Sequence, residues 1–184
     1  MTGDQQKHPA PKKFAEEQIR IIPAVDDEDL ARIADLAAAI WRVHYPGIIS
    51  PAQIEYMLAR MYSLATLREE IHARQIRFYQ LLAEEQTAGF ASVGPAGAPR
   101  VFKLHKLYVA PETHGHGLGW RLLRHCEQEA TNLGATRLIL AVNKLNTKAL
   151  AFYQRNGFSI IEWVVNDIGG GFVMDDFIMA KELE

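Results

Sequence analysis

In the first part of the chain, apolar residues recur every three or four positions, as they do on the buried face of a helix. Over 27–43 the apolar positions are Leu30, Ile33, Ala34, Ala37 and Trp41. Ser50 followed by Pro51 predicts the start of a second helix, because serine caps a helix and proline suits its first position. A third helix is predicted from Ser63. Residues 18–22 are mostly apolar and predict a short strand, so the order begins with one strand and three helices.

From residue 76 onward the pattern changes to strands, with helices between some of them. The predicted strands cover 76–84, 87–93, 101–109, 137–142, 158–165 and 172–181. The predicted helices cover 117–133 and 146–156, and each is followed by a glycine, as is typical of a helix end. Residues 137–142 form a continuous apolar run, which is typical of a strand covered on both faces. This order predicts the α/β or α+β class with a mixed central sheet.

Composition narrows the class of protein. The chain has 184 residues, of which 48% are hydrophobic and 23% charged, as is usual for one globular domain. We expect a flexible N-terminal tail over 1–17 and a single domain over 18–184. The formal net charge of −2 argues against a broad nucleic-acid-binding surface. No run reaches the ~18 apolar residues of a membrane span and no signal peptide is evident, so we expect a cytoplasmic protein that binds neither nucleic acid nor membrane.

The most informative stretch is 107–123, where a predicted strand runs into a loop with a glycine at every second position and then into a helix. The glycines are Gly115, Gly117 and Gly119. Because they lack Cβ atoms, a phosphate can approach the backbone N–H groups at the positive end of the helix. Five Lys or Arg residues over 100–125 stand against Glu112 alone, which favours a cofactor with several phosphates. The stretch therefore predicts a pyrophosphate-binding loop.

Two common phosphate-binding motifs do not fit this loop. A Walker loop needs Lys and then Ser or Thr after its last glycine, whereas Trp120 and Arg121 follow Gly119. A dinucleotide-binding fingerprint needs G-x-G-x-x-G and an acid at the end of the next strand, which here ends in Val142 and Asn143. Nucleoside triphosphate hydrolysis and NAD binding are therefore disfavoured, and a nucleotide-binding enzyme of another class is a distant alternative.

The loop resembles motif A of the GNAT superfamily of N-acetyltransferases, whose pattern is Gln/Arg-x-x-Gly-x-Gly/Ala. The pattern falls on 114–119 (HGHGLG), with His114 at the position where Gln or Arg is usual. A second block, 146–158 (NTKALAFYQRNGF), is similar to the family's N-x-x-A-x-x-x-Y-x-x-x-G-F segment. The resemblance is strong over 101–158. It implies a mostly antiparallel central sheet flanked by helices, with a splayed pair of strands that holds the cofactor.

The resemblance also implies that acetyl-CoA is the cosubstrate and that an acetyl group moves to a primary amine by direct attack in a ternary complex. In this family, backbone groups of the strand before the glycine loop hold the pantetheine arm, and Asn146 would lie near that arm. The residues expected to contact the cofactor are Leu107, Tyr108, Val109, His114, Gly115, His116, Gly117, Leu118, Gly119, Trp120, Asn146 and Tyr153. A non-catalytic module that binds or senses acyl-CoA is the alternative.

Such a reaction needs a polarised carbonyl, an acceptor for the amine proton and an acid for the departing thiolate. The Val109 N–H is the candidate that polarises the carbonyl. Tyr153 matches the family's tyrosine acid, and a phenol with a pKa of ~10 can protonate a thiolate. His105 lies where family members often carry Glu or His, and the usual histidine pKa of ~6.5 suits a base. A chain of water molecules is the alternative to His105.

The acceptor side is less well defined by the sequence. Trp41, Tyr45 and Tyr56 lie in the segment that usually forms the acceptor side in this superfamily, where they either line the amine pocket or pack in the core. Asp175 and Asp176 either attract a cationic amine or lie at a solvated edge. The segment 41–71 is loosely similar to bacterial family members that act on polyamines. The expected acceptor is therefore a small molecule such as a polyamine, or a peptide amine.

The other reactive side chains predict no further chemistry. Cys126 is the one cysteine of the chain and lies on the apolar stripe of its helix, so we expect a buried and inert thiol. The histidines near the glycine loop lack an acid at ligand spacing, so no metal is expected. Homodimers are common in the family, which makes a homodimer a further expectation.

Overall fold

The computed structural model describes residues 15–184, which form a seven-stranded sheet with helices on both faces. The strands are β1 (Ile19–Ala24), β2 (Arg77–Ala83), β3 (Gln86–Pro95), β4 (Val101–Val109), β5 (Arg137–Asn143), β6 (Ser159–Gly169) and β7 (Phe172–Glu182). The helices are α1 (Asp27–His44), α2 (Pro51–Met61), α3 (Leu64–His72), α4 (Leu118–Asn132) and α5 (Thr147–Arg155). Neighbouring strands in the order β1-β2-β3-β4-β5-β7-β6 are antiparallel except for β4 and β5. The predicted mostly antiparallel sheet is confirmed.

Side chains at the predicted positions start the first three helices. The Asp26 side chain accepts a hydrogen bond from the Asp29 N–H at 2.8 Å, and the Asp29 side chain accepts one in return from the Asp26 N–H. Ser50 caps α2 by accepting from the Gln53 N–H at 3.1 Å, and Ser63 caps α3 in the same way. These bonds satisfy backbone donors that have no partner inside a helix. The local sequence therefore fixes where the chain enters each helix.

Each face of the sheet carries its own hydrophobic core. On the α4–α5 face, the fully buried side chains include Leu122, Leu138 and Met179. On the α1–α3 face, they include Trp41, Leu67 and Phe90. Each helix therefore buries its apolar stripe against one face of the shared sheet. The two hydrophobic cores are separated by the sheet, in which β4 and β5 are central strands.

The β4 and β5 strands separate soon after they meet. They pair in parallel at Val101–Arg137, Phe102–Leu138 and Lys103–Ile139, and no further pairs follow toward their C-terminal ends. At the same level the register between β3 and β4 shifts, which leaves His105 as an extra residue on β4. A bulge of this kind bends a strand and increases its twist. The bend leads β4 away from β5 and produces the splayed pair that the resemblance implies.

Three sequence predictions differ from the structure or are not covered by it. Residues 137–142 were expected to be covered on both faces, but Ala141 is exposed because it lines a cavity beside the splayed strands. The β6 strand extends to Gly169, beyond the predicted 158–165. The predicted tail over 1–17 lies outside the described residues except for 15–17. Within that remainder, a short 3₁₀ helix, Glu16–Gln18, begins at Glu16. Within 15–184, no helix is long and apolar enough to span a membrane.

Candidate active site

A cavity of about 940 Å³ opens where β4 and β5 diverge. Its walls come from the C-terminal halves of both strands, the loop before α4, the first turn of α4, the length of α5, and parts of α1, α2 and β7. This volume lies at the upper end of the range for small-molecule and cofactor sites. The gap between the strands connects the α4–α5 face with the α1–α3 face, so two ligands can meet in it from opposite sides.

The glycine loop forms the α4 end of the cavity. Gly115 and Gly117 have φ angles of +85° and +72°, a conformation that side chains other than glycine rarely adopt. A Cβ built at either residue would meet no heavy atom within 4 Å, so the space beside the backbone is open. Gly117 immediately precedes α4 and no side chain caps the helix there. The loop therefore offers free N–H groups and room for a pyrophosphate, which fits the cofactor implied by the sequence.

Two basic residues of α5 that the sequence analysis did not single out also line the cavity. Lys148 and Arg155 are both exposed at its wall. They belong to the second block of the family pattern, 146–158, which lies outside the range 100–125 over which the basic residues were counted. Trp120, which is 53% exposed, lines the cavity and His116 does not, and the contact of either residue with the cofactor stays a prediction. Basic side chains at this end favour a ligand with several phosphates.

His114 ties the glycine loop to the end of β4. Its Nε2 lies 3.1 Å from the carbonyl oxygen of Val109. Because a carbonyl oxygen only accepts, the ring nitrogen is the donor in this hydrogen bond. The bond holds the loop against the strand and uses one of the two ring nitrogens. The contact of His114 with a cofactor phosphate stays a prediction.

The backbone of β4 offers unpaired groups to the gap. The Ala110 N–H donates to the Ala88 carbonyl of the β3 side at 2.8 Å. Backbone groups of successive strand residues point to opposite sides, so those of Tyr108 also point to β3, and those of Leu107 and Val109 point to the gap. Beyond Lys103, no strand pairs with β4 on that side. Leu107 and the Val109 N–H can therefore bind an extended ligand as a neighbouring strand would, whereas the Val109 carbonyl already accepts from His114.

Asn146 joins the cavity wall to α1. Its side-chain oxygen accepts from the Ala149 N–H at 3.3 Å and caps α5. Its Nδ2 lies 3.1 Å from Nε2 of His44, which must be the unprotonated ring nitrogen because an amide NH₂ only donates. Burial lowers the pKa of His44, which keeps this ring neutral. The sequence analysis missed His44, because no spacing along the chain connects the end of α1 with the start of α5.

Tyr153 reaches the cavity from α5. Its ring packs edge-on against Phe152 and Phe158, with centroid distances of 5.2 Å and 5.7 Å. Burial raises the pKa of Tyr153 well above its usual value, and nearby Tyr45 contributes to the shift. The phenol therefore keeps its proton at neutral pH and is available as a donor. The acid role of Tyr153 stays a prediction, and the position of the side chain is compatible with it.

His105 lines the cavity at the bulge of β4. Its Nε2 is buried without a hydrogen-bond partner. Burial, together with the neighbouring Lys103 and Lys106, lowers the pKa of His105 to about 3. A nitrogen that binds protons so weakly is a poor general base near pH 7. The base role of His105 stays a prediction, and the lowered pKa weakens it.

The α1–α3 side of the cavity is aromatic. Trp41 packs against Tyr45 and Tyr108 with centroid distances of 4.6 Å and 5.9 Å, and the two tyrosine hydroxyls lie 3.1 Å apart. The ring of Tyr108, predicted to contact the cofactor, thus lies on the acceptor side of the sheet. Tyr56 does not line the cavity, since its hydroxyl donates to the Ile168 carbonyl at 2.8 Å. Three methionines complete this wall: Met57, Met61 and Met174.

The two adjacent aspartates of β7 have different surroundings. Asp175 forms an ion pair with Lys144 and accepts from Nε1 of Trp163 at 2.6 Å, outside the cavity. Asp176 lines the cavity, is only 4% exposed, and has an Oδ1 without a hydrogen-bond partner. Burial raises the pKa of Asp176 to about 6, with a smaller opposing effect from Lys103. The sequence showed the pair but not which of the two faces inward.

Solved structures share this architecture. The crystal structure of the PaiA N-acetyltransferase of Thermoplasma acidophilum in complex with coenzyme A superposes with a TM-score of 0.74 at 29% identity, over 89% of this chain and 98% of that chain. The ribosomal-protein-S18-alanine N-acetyltransferase of Escherichia coli has the same fold, with a TM-score of 0.65 at 22% identity, over 90% of this chain and 94% of that chain. The fold is therefore that of the N-acetyltransferases the sequence resembles.

The sequence comparisons agree with this likeness. A spermidine N(1)-acetyltransferase of Thermoplasma acidophilum is 30% identical over 161 residues, which cover 85% of this chain and 93% of that protein. The sequence profile of the acetyltransferase (GNAT) family matches residues 33–158, more than half of the chain. The resemblance stated from the two sequence blocks is thus confirmed. The chain belongs to the acetyltransferase (GNAT) family and is an N-acetyltransferase that takes its acetyl group from acetyl-CoA.

Proposed function

We propose that the protein acetylates a primary amine of a small aliphatic molecule, with a polyamine as the first candidate, by direct attack in a ternary complex. The observation that carries the proposal is the gap between β4 and β5, which joins a phosphate-binding loop on one face to an aromatic pocket on the other. Direct transfer needs both ligands at once, and the gap has room for them. The 30% identity to a spermidine N(1)-acetyltransferase supports a polyamine acceptor.

On the cofactor side, the chain binds mainly through its backbone. The N–H groups of the glycine loop and of the first turn of α4 would hold the pyrophosphate, with Lys148 and Arg155 adding charge. The backbone groups of Leu107 that face the gap would hold a pantetheine amide, while the Val109 carbonyl already accepts from His114. Acetyl-CoA bound in this way supplies the reactive thioester to the gap. Its acetyl end then lies between Tyr153 and the aromatic pocket.

The catalytic groups follow from this placement. The Val109 N–H would donate to the thioester carbonyl oxygen, on which negative charge develops as the amine attacks. Tyr153 would give its proton to the departing thiolate, and its raised pKa keeps that proton in place until a stronger base forms nearby. Cys126 takes no part, because the thiol is fully buried and burial raises its pKa. No acyl-cysteine step is therefore needed.

The cytoplasm is the proposed location, because acetyl-CoA is available there. The acceptor is a free amine in the same compartment, and a homodimer is the proposed assembly by analogy with the family. The proposed mechanism depends on neither the location nor the assembly, since the glycine loop, the gap and the aromatic pocket are all formed by residues of one chain.

The test is the release of free thiol from acetyl-CoA over a panel of amines. The panel contains polyamines, simple alkylamines, amino acids, aminoglycosides and peptides with free N-termini or lysines, and the blank omits the amine. We expect release with polyamines, and a product mass increased by one acetyl group. Release with peptides alone would overturn the small-molecule acceptor. If no amine of the panel released thiol while calorimetry showed that acetyl-CoA still binds, a non-catalytic sensing module would be favoured.

A further inference from the structure

Asp176 is a buried carboxylate with one oxygen, Oδ1, that accepts no hydrogen bond. It is 4% exposed, it lines the cavity, and its Oδ1 has no hydrogen-bond partner. Buried polar atoms in folded proteins nearly always have a partner, since leaving one unpaired is costly. An unpaired carboxylate oxygen at a ligand cavity is therefore an open position for a ligand that donates hydrogen bonds.

We propose that Asp176 binds the ammonium group of the acceptor and removes one of its protons before the acetyl group is transferred. The proposal rests on the proposed function, because it places the amine in the same cavity. It makes Asp176 a catalytic residue that touches the substrate. It also assigns the role of general base, for which His105 is poorly suited because burial lowers its pKa.

Charge in the cavity leaves Asp176 as the group that can attract a cation. It is the one carboxylate among the cavity-lining residues within 15–184. Lys103 and Lys106 also line the cavity. The Lys106 ammonium forms an ion pair with Glu70 at 2.5 Å, and Lys103 offsets part of the charge of Asp176. His44 and His105 are neutral at pH 7, because burial lowers the pKa of each. A cationic amine that enters the cavity is therefore drawn to Asp176 and away from the basic end.

The position of Asp176 fits attack at the gap. It pairs in register with Asn143 at the end of β5, where the gap is widest. Met174, two residues earlier on the same strand, also lines the cavity on the α1–α3 side. Tyr45 interacts electrostatically with both Asp176 and Tyr153. The carboxylate and the phenol both line this cavity, and the proposal places the former on the amine side and the latter on the thioester side.

The walls around Asp176 define the class of acceptor. Trp41, Tyr45, Tyr108 and the three methionines line the same cavity with apolar and aromatic surface. One carboxylate in such a wall suits a single ammonium group on a flexible methylene chain. Any second positive charge of a polyamine must then reach out of the pocket toward solvent. The reactive end is therefore a primary alkylammonium, not an amine embedded in a polar ring system.

The step balances in atoms and electrons. One N–H bond of the ammonium breaks and its proton moves to the Asp176 carboxylate, which leaves a neutral amine with a lone pair. The nitrogen forms a bond to the carbonyl carbon, and the C–S bond breaks with its electron pair on sulfur. Tyr153 gives a proton to sulfur and regains one from the acylated nitrogen. Asp176 then releases its proton to water, so the products are an amide, a thiol and one proton.

The environment of Asp176 supports this role. Burial raises the pKa of the carboxyl to about 6, so it is ionised at pH 8 and binds a proton more readily than an exposed aspartate does. The groups that face it are Lys103 from β4, Tyr45 from α1 and Asp175 on its own strand. Activity should therefore fall on the acid side as pH drops through about 6, because protonated Asp176 can neither attract nor deprotonate an ammonium group.

The test compares Asp176→Asn with Asp175→Asn, its neighbour outside the cavity. We expect Asp176→Asn to lower kcat/KM for the preferred alkylamine about 100-fold at pH 8 and to abolish the acid limb of the pH profile. Asp175→Asn should stay within about threefold of the wild type, because exposed ion pairs contribute little. Both variants should bind acetyl-CoA as the wild type does. In calorimetry with coenzyme A present, Asp176→Asn should also lose affinity for the amine.

A fluorinated acceptor separates proton removal from general damage. Geminal difluorination of the carbon next to the aminomethyl group lowers the ammonium pKa enough that the analogue is largely neutral at pH 8 and needs no base. Asp176→Asn should lose much less activity with this analogue than with the parent amine. Equal losses with both amines, or a wild-type profile without a limb near pH 6, would overturn the role of Asp176. Absence of transfer by the wild type to every amine would overturn the proposed function as well.

Discussion

The two sides of the cavity are built in different ways. The cofactor side comes from three short contiguous stretches, 107–109, 114–120 and 146–155, and presents mainly backbone groups. The acceptor side is assembled from α1, α2, β4 and β7, and presents side chains such as Tyr45, Tyr108 and Asp176. A backbone site depends on the path of the chain and tolerates many side chains. A side-chain site depends on which residues the fold brings together, so it can change its ligand while the fold stays the same.

This difference determines how each side fails. The cofactor side is damaged when atoms are added, because a Cβ strains the glycine conformation or occupies the space that the phosphates need. The acceptor side is damaged when atoms are removed, because a lost hydroxyl or carboxylate leaves its partner or substrate unbound. Substitutions of the two kinds should therefore separate cleanly in binding measurements. Tyr153, which lies between the two sides, should affect neither binding event and change only the transfer.

The largest effect is expected from Tyr153→Phe. The substitution removes the proton donor but keeps the ring that packs against Phe152 and Phe158. We expect kcat to fall roughly 10²- to 10⁴-fold, the usual contribution of a positioned acid. Steady-state kinetics measures the loss, and calorimetry should show unchanged affinity for acetyl-CoA.

Tyr79→Phe is the matched control for this substitution. Tyr79 is also buried, but it lies outside the cavity and its hydroxyl donates to Glu129 at 2.6 Å. The control should lower stability by about 1 kcal/mol and leave kcat unchanged. If Tyr153→Phe kept its wild-type kcat, the acid would have to be another group or water.

The next effect is expected from Gly117→Val on the cofactor side. A valine at a φ of +72° is strained by about 1–3 kcal/mol, and its side chain fills space that is open beside the loop. We expect the Kd for acetyl-CoA to rise roughly 10- to 100-fold, while amine specificity is retained. Gly97→Val carries the same strain at a φ of +83° in the loop between β3 and β4, outside the cavity. Similar weakening by both variants would mean that strain, not the phosphate site, is responsible.

A smaller effect is expected on the acceptor side from Tyr45→Phe. The Tyr45 hydroxyl lies 3.1 Å from that of Tyr108, and loss of one such bond costs about 0.5–1.5 kcal/mol. We therefore expect kcat/KM for the amine to fall about threefold to tenfold, with acetyl-CoA affinity unchanged. Tyr56→Phe, on α2 but outside the cavity, serves as the control in the same assay. A change in acetyl-CoA affinity with Tyr45→Phe would show that the two sides are not independent.

The same contrast explains how much the sequence could predict. The element order, the helix starts at Asp26, Ser50 and Ser63, and the bounds of β4 follow from spacing and capping over a few residues. The glycine loop could be identified because all of its pattern lies in six consecutive residues, 114–119. These features depend on interactions between residues that are close along the chain, which a single sequence displays directly.

The rest of the site depends on contacts between distant parts of the chain. His44 and Asn146 are 102 positions apart, and Tyr45 and Tyr108 are 63 apart, so no local pattern joins them. Burial is likewise a tertiary property: it lowers the pKa of His105 and raises that of Asp176, and no local pattern in the sequence indicates either shift. Asp175 and Asp176 are adjacent in the sequence, and successive side chains of a strand point to opposite faces. The sequence could not show which of the two faces the cavity.

The smallest effect is expected from Lys148→Ala at the exposed end of the cofactor side. Lys148 lines the cavity but is exposed, so solvent and salt screen its attraction for a phosphate. We expect the Kd for acetyl-CoA to rise about twofold to fivefold at low salt and to approach the wild-type value at high salt, as for other exposed ion pairs. Lys144→Ala, whose ammonium pairs with Asp175 outside the cavity, should show no such change. Weakening by Lys148→Ala that persisted at every salt concentration would mean that the lysine binds as a desolvated partner, and the cofactor side would then depend on side chains as the acceptor side does.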